Sequence, residues 1–293
     1  MSKTNPLPSK TPVMMKLHYL IYADISMRFF VAAILITTLL TGCSALKTNH
    51  ESSQDATTSI RVATYNIKHG RGMDGTIDLE RTASTLETLD ADIIALQEVD
   101  DQASRSGKVD QASWLAEQLG MHAAYGSFMD FQGGRYGLAI LSRQPVESHE
   151  AWRLPDGNEP RVALAARIST ASGKPITAIA VHFDWVEDDG YRFEQARETI
   201  RRIEAIKTPW ILFGDFNDTP GSRTIDAFEQ IGRNAAKPAD AAATFPADQP
   251  TIEIDYIITG PPDDWMPASA TVVAESITSD HRPVMAELVL IRD

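Results

Sequence analysis

Eight polar residues stand at or within the apolar, strand-forming stretches of this chain, and their types are those that handle phosphoesters. Asn66 closes the first such run, Glu98 follows Leu96-Gln97, and His182 follows the run from Ile176 to Val181. Asp215 and Asn217 lie in Gly214-Asp-Phe-Asn-Asp218, and Asp280-His281 precedes the last apolar run. Asp255 sits inside Ile254-Asp-Tyr-Ile-Ile258, where an ionised carboxylate has to be hydrogen-bonded to be tolerated. Carboxylates and amides are the hard oxygen ligands that Mg2+ or Mn2+ takes, a further carboxylate can orient or deprotonate water, and imidazoles can neutralise phosphate charge. Taken singly, each residue has an ordinary structural explanation as a turn residue, a solvated acid or an Asx-turn pair. Their number changes that weighing, because strands of a two-sheet sandwich end on common rims and can bring all eight to one patch.

The elements that must position them read as follows. Arg61 to Ile67 alternates and is β-branched, and after a glycine-rich turn Asp78 can cap a helix through Leu89. Asp92 to Leu96 suits a strand covered on both faces, followed by a charged loop and an amphipathic helix over Gln111 to Leu119. Further strand runs are Tyr136 to Leu141, Val162 to Ile168, Ile176 to Val181, Trp210 to Phe213, Ile254 to Ile258 and Val284 to Leu290. A longer helix from about Tyr191 to Ile206 places Phe193, Ala196, Ile200 and Ile203 on one stripe. Strands in majority with a few helices between them predict a layered α/β (α+β) protein, two packed sheets with helices outside.

In this order the motifs Thr64-Tyr-Asn-Ile67, Ala95-Leu-Gln-Glu-Val99, Val181-His182, Gly214-Asp-Phe-Asn217, Ile254-Asp-Tyr-Ile257 and Ser279-Asp-His-Arg-Pro283 resemble the endonuclease/exonuclease/phosphatase superfamily, also called DNase I-like. The resemblance runs from about Ile60 to Leu290 and implies a four-layer αββα sandwich with its active site at one rim. It implies that Asn66, Glu98 and Asp280 are metal-site residues for Mg2+ or Mn2+, with Glu98 the direct ligand. Asp215 would hold or deprotonate the attacking water, Asn217 would fix its geometry, and His281 would face the phosphate, oriented by Asp255. His182 would serve the leaving side, partnered by Glu159 of Glu159-Pro-Arg161. Two carboxylate–histidine pairs would then set two imidazolium cations beside the phosphate. The chain departs from the pattern at Leu138, where the family often has an asparagine, which removes one amide from the substrate contacts. Asp184, with Trp185 and the acids that follow, reads as a solvated loop; His69 and Arg71 sit in a glycine-rich loop that could touch phosphate; Trp114 reads as helix core.

Ahead of this domain, Met27-Arg28 precedes the apolar run Phe29 to Leu40 and then Thr41-Gly42-Cys43, which has the order of a secretory signal. Twelve residues are too few for a membrane-spanning helix, which needs about 20. The Gly-Cys end resembles the lipobox of bacterial lipoproteins, so Cys43, the chain's one cysteine, is the expected lipid attachment site. The expected organisation is a signal and lipobox segment over 1–43, a polar tether over 44–59 and the catalytic domain over 60–293, held at the bacterial cell envelope as a membrane-anchored monomer. Five of the 27 basic and three of the 40 acidic residues precede residue 61, leaving 22 against 37, a net charge of −15 on the remainder. Such a surface repels duplex DNA, which favours a small or lipid-linked phosphoester substrate over nucleic acid. The alternatives are a secreted or surface nuclease, which would need a basic groove or an inserted loop, and a non-catalytic binding lipoprotein, which would not need Asn66, Glu98, Asp215, Asn217, Asp255, Asp280 and His281.

Overall fold

A computed structural model describes residues 58–291, so Cys43 and nearly all of the expected tether lie outside the described residues. The domain begins with β1 (Thr58–Asn66), two residues before the expected boundary, because Thr58 and Ser59 already pair with Leu290 and Val289 of the last strand. There follow α1 (Leu79–Leu89), β2 (Ile93–Asp101), α2 (Gln111–Leu119), β3 (His122–Phe131), β4 (Gly134–Ser142), β5 (Val146–Arg153), β6 (Val162–Ser169) and β7 (Pro175–His182). The second half adds α3 (Gly190–Ile203), β8 (Trp210–Asp215), α4 (Arg223–Glu229), β9 (Arg233–Asn234), β10 (Asp255–Gly260), β11 (Ala270–Val272) and β12 (Val284–Leu290). Among the described residues no helix is long and apolar enough to cross a membrane.

Two mixed six-stranded sheets result, ordered β11-β12-β1-β2-β4-β3 and β5-β6-β7-β8-β10-β9. Their central strands are apolar on both faces, and the period-2 alternation sorts the side chains into separate cores. Val62, Ile93, Ala95, Ile140, Ala178, Ile211, Phe213 and Ile257 pack between the sheets. Tyr65, Ile94 and Leu96 face outward onto Leu86, Leu89 and Leu115 of α1 and α2. On the far side Ile179, Val181, Leu212 and Tyr256 meet Ala196, Ile203 and Phe228 of α3 and α4. The layers are therefore helix, sheet, sheet, helix: the DNase I-like sandwich.

The expected helices α1 and α2 form with their expected bounds, since Asp78 and Asp110 accept hydrogen bonds from the Arg81 and Ser113 amides and cap the two N-termini. Close packing matters most just ahead of the site. A Cβ at Gly214 would lie 2.1 Å from the Val181 carbonyl oxygen, so the approach of β8 to β7 requires glycine there.

Candidate active site

Register assembles the site. In the second sheet Asp215, the last residue of β8, lies between His182 of β7 on one side and Asp255 of β10 on the other. In the first sheet Asn66 ends β1 opposite Gln97 of β2. Glu98 belongs to β2 and not to a loop after it: the strand runs on to Asp101 through a bulge between Leu96 and Val99, with Glu98 at φ 59°. A bulge turns a side chain out of the strand's alternation, and here it aims the carboxylate at the rim. Asp280 and His281 arrive on the segment before β12, where the Ser279 hydroxyl donates to the Asn66 carbonyl at 2.6 Å and ties that segment to β1.

Asp215 is the centre. Its Oδ2 accepts from Asn66 Nδ2 at 3.1 Å and lies 3.4 Å from His182 Nε2 and 3.6 Å from His281 Nε2. Its Oδ1 accepts from the Asn217 amide at 2.9 Å, and Asn217, at φ 50°, is pinned by donating Nδ2 to the Phe183 carbonyl at 3.0 Å. Burial raises the Asp215 carboxyl to about 7, with His281 opposing and Asp255 adding to the rise. His281 moves the other way from what burial alone would do: Asp255, at 3.0 Å from Nδ1, and then Asp215 outweigh desolvation and lift it to about 10. His281 is thus an imidazolium at neutral pH, and Asp215 is a carboxylate poised to exchange a proton there.

Glu98 supplies the hard oxygen for a divalent cation. Burial would raise its carboxyl, but His69, the Tyr136 hydroxyl and the cationic His281 hold it well below the usual carboxylate range. One oxygen accepts from Asn66 Nδ2 at 3.2 Å, while the other lies 3.9 Å from His69 Nδ1. Asp280 stands on the same side, paired with the Lys68 ammonium. The donor set of carboxylates and an amide fits Mg2+ or Mn2+. Asp215, Asp255 and His281 also lie close enough to hold an ion between them. Their bonding argues for a different use, since His281 Nδ1 is committed to Asp255 and a cationic imidazole has no lone pair to ligate.

Three expectations change. Glu159 does not reach His182: among the described residues it pairs with Arg161, at 3.0 Å from Nη2, and His182 Nδ1 has no partner. Burial first, and then the Arg161 charge, hold His182 well below its ordinary value, so it is a neutral imidazole and not a second cation. The positive charge nearest it is the Arg161 guanidinium. Asp184 is not solvated either; it is fully buried and accepts from the Asn158 and Glu159 amides at 2.6 and 3.3 Å, so it folds the loop that carries Glu159. Leu138, where the family amide is missing, packs in the inter-sheet core.

All of these rim residues except Asn66 and Asp255 line one cleft of about 1130 Å³, which also has Lys68, Arg105, Tyr136, Arg161 and Trp185 on its walls. None of those five stood among the expected site residues. For Arg161 a signal existed in Glu159-Pro-Arg161 directly before a strand. For Arg105 none did, since its place comes from a bidentate pair with buried Asp100 and from stacking 4.3 Å from the Phe131 ring centre.

A sandwich of two mixed sheets with a carboxylate–imidazole cluster on one rim defines the DNase I-like class. The profile of the Endonuclease/Exonuclease/phosphatase family matches residues 63–281, and the chain belongs to that family. The chain is 28% identical over 249 residues to the uncharacterized protein YbhP of Escherichia coli K12, covering 78% of this chain and 96% of the relative. A mannosyl-6-phosphatase of Bacteroides thetaiotaomicron superposes with a TM-score of 0.65 at 20% identity, over 79% of this chain and 100% of that one. The catalytic domain of human Nocturnin, solved with a bound sulfate, gives 0.62 at 20% identity, over 80% and 96%. The family is hydrolytic and commonly depends on divalent metals.

Proposed function

We propose that the domain is a Mg2+- or Mn2+-dependent phosphoesterase in which Asp215 activates the attacking water. The observation that carries this reading is the set of groups around one oxygen, Asp215 Oδ2, with Asn66, His182 and His281 at 3.1 to 3.6 Å and Glu98 alongside. A general base works best with a pKa near the operating pH, and burial sets Asp215 there, at about 7. In this reading a water proton passes to Asp215, the water oxygen bonds to phosphorus, and the ester oxygen leaves with the electron pair of the broken P–O bond. The His281 imidazolium, held by Asp255, faces the charge that builds on the phosphoryl oxygens, and neutral His182 meets the departing oxygen through Nε2–H. A divalent cation bound at Glu98 supplies further positive charge to the phosphoryl group.

The same proposal places the enzyme on the bacterial cell envelope through lipid at Cys43, acting as a monomer on small or lipid-linked phosphoesters. Net charge supports this choice over a nuclease, and the cleft adds to it: Lys68, Arg105, Arg161 and Arg192 each pair with a carboxylate, which leaves no row of free cations for a polyanion. Purified domain with Mg2+ or Mn2+ should hydrolyse simple aryl phosphoesters, and lose that activity in excess chelator. Full turnover in the chelator would overturn the metal-dependent reading.

A further inference from the structure

Trp185 is the most exposed large apolar side chain among the described residues, at 59%, and it stands on the wall of the cleft. A lone tryptophan on an open face would need no explanation. Here the backbone on both sides of it is pinned. The Asp184 amide donates to Gln195 Oε1 at 2.9 Å and the Val186 amide to Asp184 Oδ1 at 3.2 Å, while buried Arg192 donates Nη1 to the carbonyls of Asp184 and Val186 at 3.1 and 2.8 Å. Bonds to buried groups on either side fix where the side chain starts, so the indole is presented to the cleft by a rigid frame and not left there by a loose loop. The same frame sets it beside the reacting centre. The Phe183 amide donates to the Asp215 carbonyl at 3.1 Å, Asn217 Nδ2 donates to the Phe183 carbonyl at 3.0 Å, and Arg192 Nε reaches Asp218 Oδ2 at 3.2 Å. Trp185 lies two residues beyond Phe183, at most about 7 Å of chain. The cleft, at about 1130 Å³, is of the size that encloses a whole small organic ligand, about 300–1,000 Å³, and not a phosphoryl group alone.

We propose that Trp185 is a specificity-determining platform on which the organic part of the substrate stacks, and that this part is an uncharged, hydroxylated ring, as in a sugar phosphate. This rests on the phosphoesterase reading above, in which His182 meets the departing oxygen. The loop that carries Trp185 continues directly from His182, so the organic group behind that oxygen meets the indole. An indole face is electron-rich and attracts the C–H groups that one face of a sugar ring presents. Hydroxyls at the ring's edge find partners nearby: Glu187, two residues on, and Thr219, which follows the Asp218 that Arg192 ties to this loop, are both exposed and line the same cleft. The Glu187 carboxylate only accepts, and the Thr219 hydroxyl both donates and accepts, which suits hydroxyls and no second anionic group. An acyl chain on this side would lie along the same acid. The cleft's apolar wall of Phe245 and Ile252 belongs to the other flank, where the Phe245 ring centre is 5.0 Å from that of His281.

The test compares full-length wild type, Trp185→Phe and Trp185→Ala, with Mg2+ present, on three esters: glucose 6-phosphate, cyclohexylmethyl phosphate, which keeps a six-membered ring without hydroxyls, and methyl phosphate, which has no ring. Calorimetry gives the affinities, phosphate release gives turnover, and acrylamide quenching of tryptophan fluorescence reports contact with the indole. Wild type should bind glucose 6-phosphate the tightest and methyl phosphate the weakest. Trp185→Ala should weaken glucose 6-phosphate about tenfold more than methyl phosphate, the worth of one stacked ring, and Trp185→Phe should recover part of that difference. Bound glucose 6-phosphate should shield from acrylamide a share of the fluorescence that Trp185→Phe lacks. A merely structural role would weaken all three ligands together and shield nothing. Tighter binding of the cyclohexylmethyl ester than of glucose 6-phosphate, no preference of wild type for either ring over methyl phosphate, equal weakening of all three by Trp185→Ala, or unshielded fluorescence would overturn the assignment. Hydrolysis of all three esters without a ring preference would overturn the platform and leave the phosphoesterase reading standing. Binding of glucose 6-phosphate through Trp185 with no phosphate release in Mg2+ or Mn2+ would overturn the hydrolase reading and leave a sugar-phosphate site.

Discussion

Replacing Asp255 by Asn tests the electrostatic logic of the site with almost no change of shape. Asp255 is 1% exposed and its Oδ2 lies 3.0 Å from His281 Nδ1, so an amide oxygen can still accept from that nitrogen. What is lost is the charge. Asp255 is the largest contribution that lifts His281 to about 10 against desolvation, and without it burial pulls the imidazole back toward or below its ordinary 6.5. Near pH 8 the variant's His281 is then neutral, and the transition state loses a preorganised cation, a loss of about 3 to 4 kcal/mol or ~10²–10³ in kcat. Stability carries a second signature. Because the folded pKa of His281 is above its unfolded value, its contribution is fully present below about pH 6.5 and is lost as pH rises through about 10. Asp255→Asn should flatten that part of the metal-free stability profile. Imidazole titration by NMR, thermal melting across the same pH range and turnover on one aryl phosphate give the three readouts. A folded variant with near wild-type turnover and a His281 still cationic near pH 8 would refute the assignment of Asp255 as the group that charges the site.

Three further outcomes follow from the same geometry. Asp215→Asn keeps one of the two hydrogen bonds accepted from Asn66 and the Asn217 amide, turns an N–H toward the other donor and cannot take a proton, so kcat should fall by about 10²–10⁴, and steady-state kinetics with calorimetry on one preparation would separate that loss from any loss of stability. Glu98→Gln removes the anionic ligand beside Asn66, and Mg2+ or Mn2+ titration should show affinity weaker by at least about tenfold. Cys43→Ala should abolish membrane association while leaving turnover of the released domain unchanged, which fractionation and assay of the soluble protein would show.

How much of this was legible in the sequence depends on what kind of fact each residue represents. Strands covered on both faces announce themselves as continuous apolar runs, and so β2, β6, β7, β8 and β12 were readable, as were helices with an aspartate cap. The strands that escaped are β3 and β5, with the short β9, β11 and helix α4. All four strands are sheet edges, and β5 reads Val-Glu-Ser-His-Glu-Ala-Trp-Arg with most of its residues exposed, so it carries no core-facing pattern to detect. The convergence of strand-end polar residues was readable for a related reason, since strands that share a sheet share a rim. Which residue touches which was not. Glu98 reaches the rim only because a bulge interrupts β2, and Glu159 turned to Arg161 because buried Asp184 folds its loop in that direction. Burial itself is the property least visible in composition, and it decides the chemistry here. It raises Asp215 into the range of a working base and keeps His182 neutral. The charge beside His182 belongs to Arg161, and it adds to burial in disfavouring the second imidazolium that the paired motifs led one to expect.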